Sequence, residues 1–283
     1  MKSSNELIEA PRFFSSPLHQ KWPRKILIVS GLDETEKDYE RLISLLEKES
    51  YQVGLYIPKS EDKNFDGDFS ASQTEFVQFL KNWVQQKKPQ EQHQELHLIG
   101  HSMAYALLMK SLLENPKLAN EVSSLTFTNP MLRLRPLYKH LLSSPLKNPV
   151  DLRLTTPLSA EHSIEIQIQR SKNFIEGYED FSASIFPVLN QSNWSIPTQI
   201  LMSQGDPNIE LEIVETQWKE RAQILRIEST RHNLLRKPES HQVTQSLFAF
   251  FQNSSSSQID SGCQKFLKGF EAGEPIPHKS KRH

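Results

Sequence analysis

The sequence predicts an α/β fold built on a mostly parallel sheet with helices on both faces. Three observations predict it. Short apolar runs ending at a turn, such as KILIVSG (25–31), ELHLIG (95–100) and TQILMSQGD (198–206), alternate with segments of helical periodicity. That alternation lapses between about 131 and 193 and then returns, as expected when an insertion interrupts a sheet. The 283 residues are enough for one large domain with a sizeable core.

Each element follows in order. KILIVSG is four consecutive apolar residues closed by a glycine, the pattern of a strand buried on both faces. Tyr39, Leu42, Ile43, Leu45 and Leu46 then share one helical face. YQVGLYIP (51–58) reads as a second strand stopped by Pro58. Ser72 with Glu75 forms a capping-box pattern expected to open a helix in which Phe76, Phe79, Leu80 and Val84 align. ELHLIG is the third strand, and MAYALLMKSLLEN the helix after it, ended by Asn115-Pro116. VSSLTFTNP (122–130) is the fourth strand. The stretch 131–193, including IEIQIQRSKNFIEGY, reads as amphipathic or irregular. The strand 198–206, a helix around IELEIVETQWKER, the strand AQILRIES (222–229) and a last helix ESHQVTQSLFAFFQ complete the series. The expected organisation is an extension over 1–24, a core over 25–130 and 194–252, an insertion over 131–193, and a disordered tail over 253–283.

Composition narrows the function. A net charge of −1 gives no field that would draw nucleic acid or an anionic membrane. A single cysteine, Cys263, cannot close an internal disulfide, so a reducing, cytoplasmic setting is expected. The first residues lack the apolar core of a secretory signal, and no apolar run is long enough for a transmembrane helix. No cysteine/histidine spacing suggests a metal, and no cofactor is expected.

The chemistry centres on LHLIGHSMAYALL (96–108). Gly100-x-Ser102 follows a strand and precedes a helix. On such a corner a serine hydroxyl stands exposed above the sheet edge, and small neighbours are needed because the helix and flanking strands crowd it. A serine is a weak nucleophile at neutral pH; it needs a base, and the base an orienting acid. Both should follow, acid first, each after a later strand. Asp206 follows one such strand in GDP, and His232 another in STRHNLL. Alone, Asp206 reads as a turn initiator and His232 as one of ten histidines. Together, in order and at strand ends, they read as a triad, with Glu210 and Glu228 as competing acids. The N–H groups of Met103, at the helix start, and of Leu32, beside Gly31, are the candidate oxyanion donors.

These residues carry a resemblance. GHSMA, SGLDETEKDYERL, SQGDP and TRHNLL together resemble the α/β-hydrolase family of lysophospholipases and monoacylglycerol lipases, over roughly 20–252. The resemblance implies an α/β-hydrolase fold with a helical cap inserted over 131–193. It implies Ser102 as nucleophile, Asp206 as acid and His232 as base, with Leu32 and Met103 at the oxyanion hole. It also implies a single-chain lipid ester as substrate. The chain departs from the family at several positions. Ser30 and Asp33 stand where it has His and often Gly, and Ala104 and Tyr105 replace the two glycines after its elbow. IPKSEDKNFDGDFS (57–70) stands in place of its Asp-x-Arg-Gly-His-Gly-x-Ser loop.

The insertion supplies apolar side chains for an acyl pocket, among them Met131, Leu132, Leu137, Tyr138, Phe181 and Phe186. It is also locally basic, through Arg133, Arg135, Lys139, Lys147 and Arg153. These cations either steer a phosphate headgroup or a lipid surface, giving peripheral membrane contact, or form an ordinary solvated face. Three readings stay open: a serine esterase or lipase, a proline-type aminopeptidase or thioesterase on the same fold, and a non-catalytic interaction protein.

Overall fold

The computed structural model describes residues 24–31, 34–58, 69–85, 95–133, 150–159, 162–170, 172–206, 208–236 and 239–255. The chain runs through β1 (Arg24–Val29), a 3-10 turn (Glu36–Asp38), α1 (Glu40–Lys48), β2 (Tyr51–Tyr56), α2 (Phe69–Gln85) and β3 (Glu95–His101). It continues through α3 (Ala104–Glu114), α4 (Pro116–Ala119), β4 (Ser124–Thr128), β5 (Val150–Ser159) and β6 (His162–Arg170). Then follow α5 (Lys172–Ala183), α6 (Ile185–Gln191), β7 (Thr198–Ser203), α7 (Leu211–Trp218), β8 (Gln223–Ile227) and α8 (Ser240–Ser255).

Six strands form one sheet in the order β2-β1-β3-β4-β7-β8, every pair parallel. Parallel strands need crossovers that cover both faces, which is why β1 is apolar without alternation. Its side chains divide by parity. Ile26 and Ile28 pack with Leu42 and Leu46 of α1 and Val243, Leu247 and Phe251 of α8. Leu27 and Val29 join Phe76, Leu80 and Trp83 of α2 and Leu108 and Leu112 of α3 on the other face. Each fully buried aliphatic side chain of this kind contributes about 1.5–3 kcal/mol. The strand order turns back between β1 and β3, so a crevice opens at their carboxyl ends, the usual ligand site of open α/β sheets.

Proline sets one boundary. The residue before a proline is disfavoured in the helical region. Asn115 accordingly leaves it (φ −127°, ψ 75°), ending α3, and Pro116 opens α4.

The structure differs from expectation in three places. α2 begins at Phe69, so Ser72 and Glu75 lie inside the helix and do not cap it. A capping exchange occurs instead at the 3-10 turn, where the Thr35 N–H donates to Asp38 Oδ2 at 2.8 Å. The insertion is not purely helical: β5 and β6 pair antiparallel, Leu154 opposite Ile166, before α5 and α6. The alternation in IEIQIQ is the period-two signal of that hairpin, and reading it as irregular missed it. Finally, α8 continues to Ser255, into the stretch read as a tail. Residues 1–23 and 256–283, and most of the 57–70 loop, lie outside the described residues. Among the described residues no helix is long and apolar enough to cross a membrane.

Gly100 is required by close approach. A Cβ there would meet Leu108 Cδ1 at 2.5 Å and the Phe127 ring at 3.2 Å, both fully buried. Gly100→Ala should therefore lower stability by about 1–3 kcal/mol through overpacking, read as a lower denaturant midpoint at unchanged slope.

Candidate active site

The site begins where β3 hands over to α3. The ladder to β4 runs through His101, opposite Thr128, and the Ser102 N–H still donates to the Thr128 carbonyl at 3.1 Å. The helix starts at Ala104, so the chain must turn within Ser102 and Met103. Ser102 does so in the left-handed region, φ 55°, which costs a non-glycine residue about 1–3 kcal/mol. The corner is crowded: a Cβ on Gly31 would lie 3.2 Å from Ser102 Cβ, so the loop after β1 comes up against the serine. On its other side the Met131 N–H donates to the Ser102 carbonyl at 3.2 Å.

Three distant segments meet here. Ser102 Oγ lies 2.7 Å from His232 Nε2, and His232 Nδ1 lies 2.6 Å from Asp206 Oδ2. The nitrogen on the carboxylate carries the ring proton, which leaves the Nε2 lone pair to accept from the serine hydroxyl. The Asp206 side chain is fully buried, and its Oδ1 accepts the Asn208 N–H at 2.8 Å. The His232 side chain is 27% exposed, so the chain of hydrogen bonds opens to solvent at the imidazole. This arrangement can move a proton off the serine hydroxyl and stabilise the imidazolium that results.

Two polar clusters hold these segments in register. Asn129, φ 45°, ends β4 and reaches across to the histidine loop. Its Nδ2 donates to the carbonyls of Arg231 (3.1 Å) and His232 (2.5 Å) and to Ser203 Oγ (2.9 Å), while its Oδ1 accepts the Ser203 N–H at 2.7 Å. Ser203 Oγ donates in turn to the Arg231 carbonyl at 2.5 Å. The second cluster surrounds Glu34. Its carboxyl accepts the Gly31 N–H at 2.6 Å, the Tyr39 hydroxyl and the Asn233 amide, and faces His101 Nε2 at 3.3 Å. Burial raises the Glu34 carboxyl above its ordinary value, against the lowering effect of those hydrogen bonds. Burial, with His232 nearby, drives the His101 imidazole down to about 3. Burial also lowers His97, whose Nδ1 lies 2.8 Å from Ser124 Oγ at the opposite end of β3.

Of the residues singled out from sequence, Ser102, His232 and Asp206 come together. Met103 directly precedes α3. Leu32 lies outside the described residues. Of the competing acids, Glu210 sits at the amino end of α7 and Glu228 is exposed, while Asp206 holds the imidazole. Ser30 is fully buried. Tyr105, the bulkiest departure from the resemblance, is also fully buried, edge-on to Phe127 and Trp218 at centroid distances of 4.9 and 6.3 Å. Of the apolar residues of the insertion, Leu132 and Phe181 are buried in the core cluster, with Met131 and Phe186 packed against it. Arg133 is exposed, and Leu137, Tyr138, Arg135, Lys139 and Lys147 lie outside the described residues. Sequence reasoning missed Asn129, Ser203 and Glu34; an asparagine directly after a strand, before Pro130, was the available signal for the first.

No protein-family model matches the sequence, and no curated protein does. Solved structures do match the fold. A soluble variant of monoglyceride lipase from Saccharomyces cerevisiae aligns with TM-score 0.68 and 14% identity, over 86% of this chain and 90% of that one. A structure of metagenome-derived lipolytic enzymes aligns with TM-score 0.61 and 16% identity, over 82% and 94%. Est1E from Butyrivibrio proteoclasticus aligns with TM-score 0.57 and 12% identity, over 83% and 89%. The chain has the α/β-hydrolase fold.

Two outcomes follow for stability. Asn129→Ala strips buried partners from the histidine loop and should cost about 1–3 kcal/mol, with faster proteolysis between 229 and 236. His101 and His97 are both held below their ordinary 6.5. Their contributions are complete above that value and are lost as pH falls toward the folded value, about 3 for His101. Glu34, held above its ordinary 4.5, releases a proton on unfolding and offsets His101, so denaturation between pH 7 and 5 should show stability falling with net uptake of about one proton, that of His97.

Proposed function

We propose that the protein is a serine hydrolase that cleaves carboxylic esters of single-chain lipids, lysophospholipase-like or monoacylglycerol lipase-like, through an acyl-enzyme. The observation that carries this reading is the hydrogen-bonded series Ser102–His232–Asp206, with the serine in a left-handed corner at the carboxyl edge of the sheet. His232 Nε2 takes the Ser102 proton as Oγ attacks the ester carbonyl. Asp206 holds the ring orientation and stabilises its charged form. The N–H groups of Met103 and Leu32 receive the oxyanion. His232 then passes the proton to the departing alcohol, leaving an ester on Ser102. A water molecule, giving its proton to the same imidazole, attacks that ester, and Ser102 leaves with the proton returned. The chemistry uses side chains and backbone alone.

Several facts support a lipid ester. Structural neighbours include a monoglyceride lipase and lipolytic enzymes. Met131 brings apolar surface to the Ser102 corner, since its N–H bonds the Ser102 carbonyl and its side chain packs against the core. The basic residues of the insertion suit a phosphate headgroup at a membrane surface, and the lone Cys263 suits the cytoplasm. A thioesterase domain from the curacin biosynthetic pathway shares the fold at TM-score 0.51 and 15% identity, which keeps thioester cleavage as the second reading.

Hydrolysis of p-nitrophenyl esters of increasing chain length, beside acyl thioesters and aminoacyl amides, tests the proposal. The expected result is a preference for longer acyl esters, abolished in Ser102→Ala and reduced about 10⁴-fold in turnover by Asp206→Asn. Hydrolysis by Ser102→Ala at the rate of the wild type would overturn it.

A further inference from the structure

The Glu34 cluster is not used by the triad, yet it joins three of the segments that build the site. It reaches the loop after β1 through Gly31, the strand that ends in Ser102 through His101, and the histidine loop through Asn233, the residue after His232. The cluster is closed to solvent: Glu34 is 9% exposed, His101 1% and Tyr39 fully buried.

The hydrogen-bond roles fix where protons sit. His101 Nδ1 lies 2.9 Å from the Thr128 carbonyl oxygen, which has no proton to give, so Nδ1 is the donor there, with Thr128 Oγ1 also 2.9 Å away. In the neutral ring Nε2 then bears a lone pair. That nitrogen is buried without a hydrogen bond of its own and faces Glu34 Oε1 at 3.3 Å. A lone pair and a carboxylate oxygen facing each other away from water repel, so one proton belongs between them. Oε2 accepts both the Gly31 N–H and the Tyr39 hydroxyl, whereas Oε1 is the oxygen that faces the His101 lone pair, so Oε1 carries the proton and takes the Asn233 N–H on a remaining lone pair.

We propose that Glu34 is a positioning residue that works in its protonated form, sharing its proton with His101 Nε2 and tying the loop after β1 to the histidine loop. The placement rests on the acyl-transfer reading above. The directions already described agree: burial raises the carboxyl and lowers the imidazole, so the neutral pair is favoured over the charged one. The groups that act on the pair are His232 and Arg236 from the histidine loop, Asp206 from the loop after β7, and Tyr39 from the start of α1. Arg236 is itself paired to Asp38 at 2.7 Å. A neutral Glu34 adds no second negative charge beside the imidazolium that forms at His232. The same carboxyl fixes Gly31, in the loop that comes up against Ser102.

The test uses the full chain. Infrared difference spectra of wild type minus Glu34→Gln at neutral pH should contain the carbonyl stretch of a protonated carboxyl group, shifted in deuterium oxide. In kinetics with a p-nitrophenyl ester, Glu34→Ala should lose about 100-fold in kcat with KM little changed, as for a misplaced catalytic group. Glu34→Gln, whose carbonyl keeps the Gly31 and Tyr39 hydrogen bonds and whose N–H donates to His101 Nε2 but opposes the Asn233 amide, should restore part of that loss. Carboxylate bands in place of the carboxyl stretch, or Glu34→Gln as impaired as Glu34→Ala, would overturn the proposal. The infrared reading needs no substrate and no folded alanine variant. A wild type that shows the band yet cleaves no ester upholds the proton assignment and contradicts the hydrolase reading instead.

Discussion

A serine held in the left-handed backbone region, at the end of an interior strand, is the constraint on which the site depends. β3 is bonded on both sides, to β1 and β4, so its end cannot drift. α3 begins two residues later, and its buried side chains from Ala104 to Met109 anchor it against the sheet. Between these fixed elements only a sharp corner fits. The strain at Ser102 is offset by burial on either side of it, and its consequence is that the hydroxyl meets the His232 imidazole at the end of β3. Packing in the core thus sets the direction of one oxygen atom.

The corner alone does nothing; the imidazole must come to it from 130 residues away in sequence. Apolar packing brings β7 and β8 beside β4, but it does not specify the loops that follow them. Buried amide and carboxyl groups do. Asn129 satisfies two carbonyls of the histidine loop, and Glu34 takes the amide of Asn233 on its far side. Gly205 lets the acid loop press against Thr230, whose Cγ2 would lie 2.8 Å from any Cβ there. In a low-dielectric setting such groups are costly unless paired, so each pairing selects one loop arrangement out of many.

Much of this was legible in the sequence. β1 and β3 declared themselves as uninterrupted apolar runs, and Gly100-x-Ser102 at a strand–helix junction marked the corner. Asp206 and His232 were found because the order and strand-end placement left few other candidates. The hairpin in the insertion was not found, since its alternation of isoleucine with polar residues in IEIQIQ was set beside helix-like neighbours. Asn129 and Glu34 were not found for a different reason. Their roles come from partners distant in sequence, as far as 103 and 199 residues away, and no local pattern encodes a contact of that range. Tyr105, far larger than the glycine it replaces in the resemblance, is accommodated by Phe127 and Trp218, a fit that depends on the fold and not on the motif.

The central claim is that His232 makes Ser102 nucleophilic. Reaction of the folded protein with a fluorophosphonate, with the adduct mapped by mass spectrometry, measures it most directly. The account predicts one adduct, on Ser102, forming at least about 10²-fold more slowly in His232→Ala, the scale of a lost general base. An unlabelled Ser102 under conditions that label a control serine hydrolase, or equal rates with and without the imidazole, would contradict it.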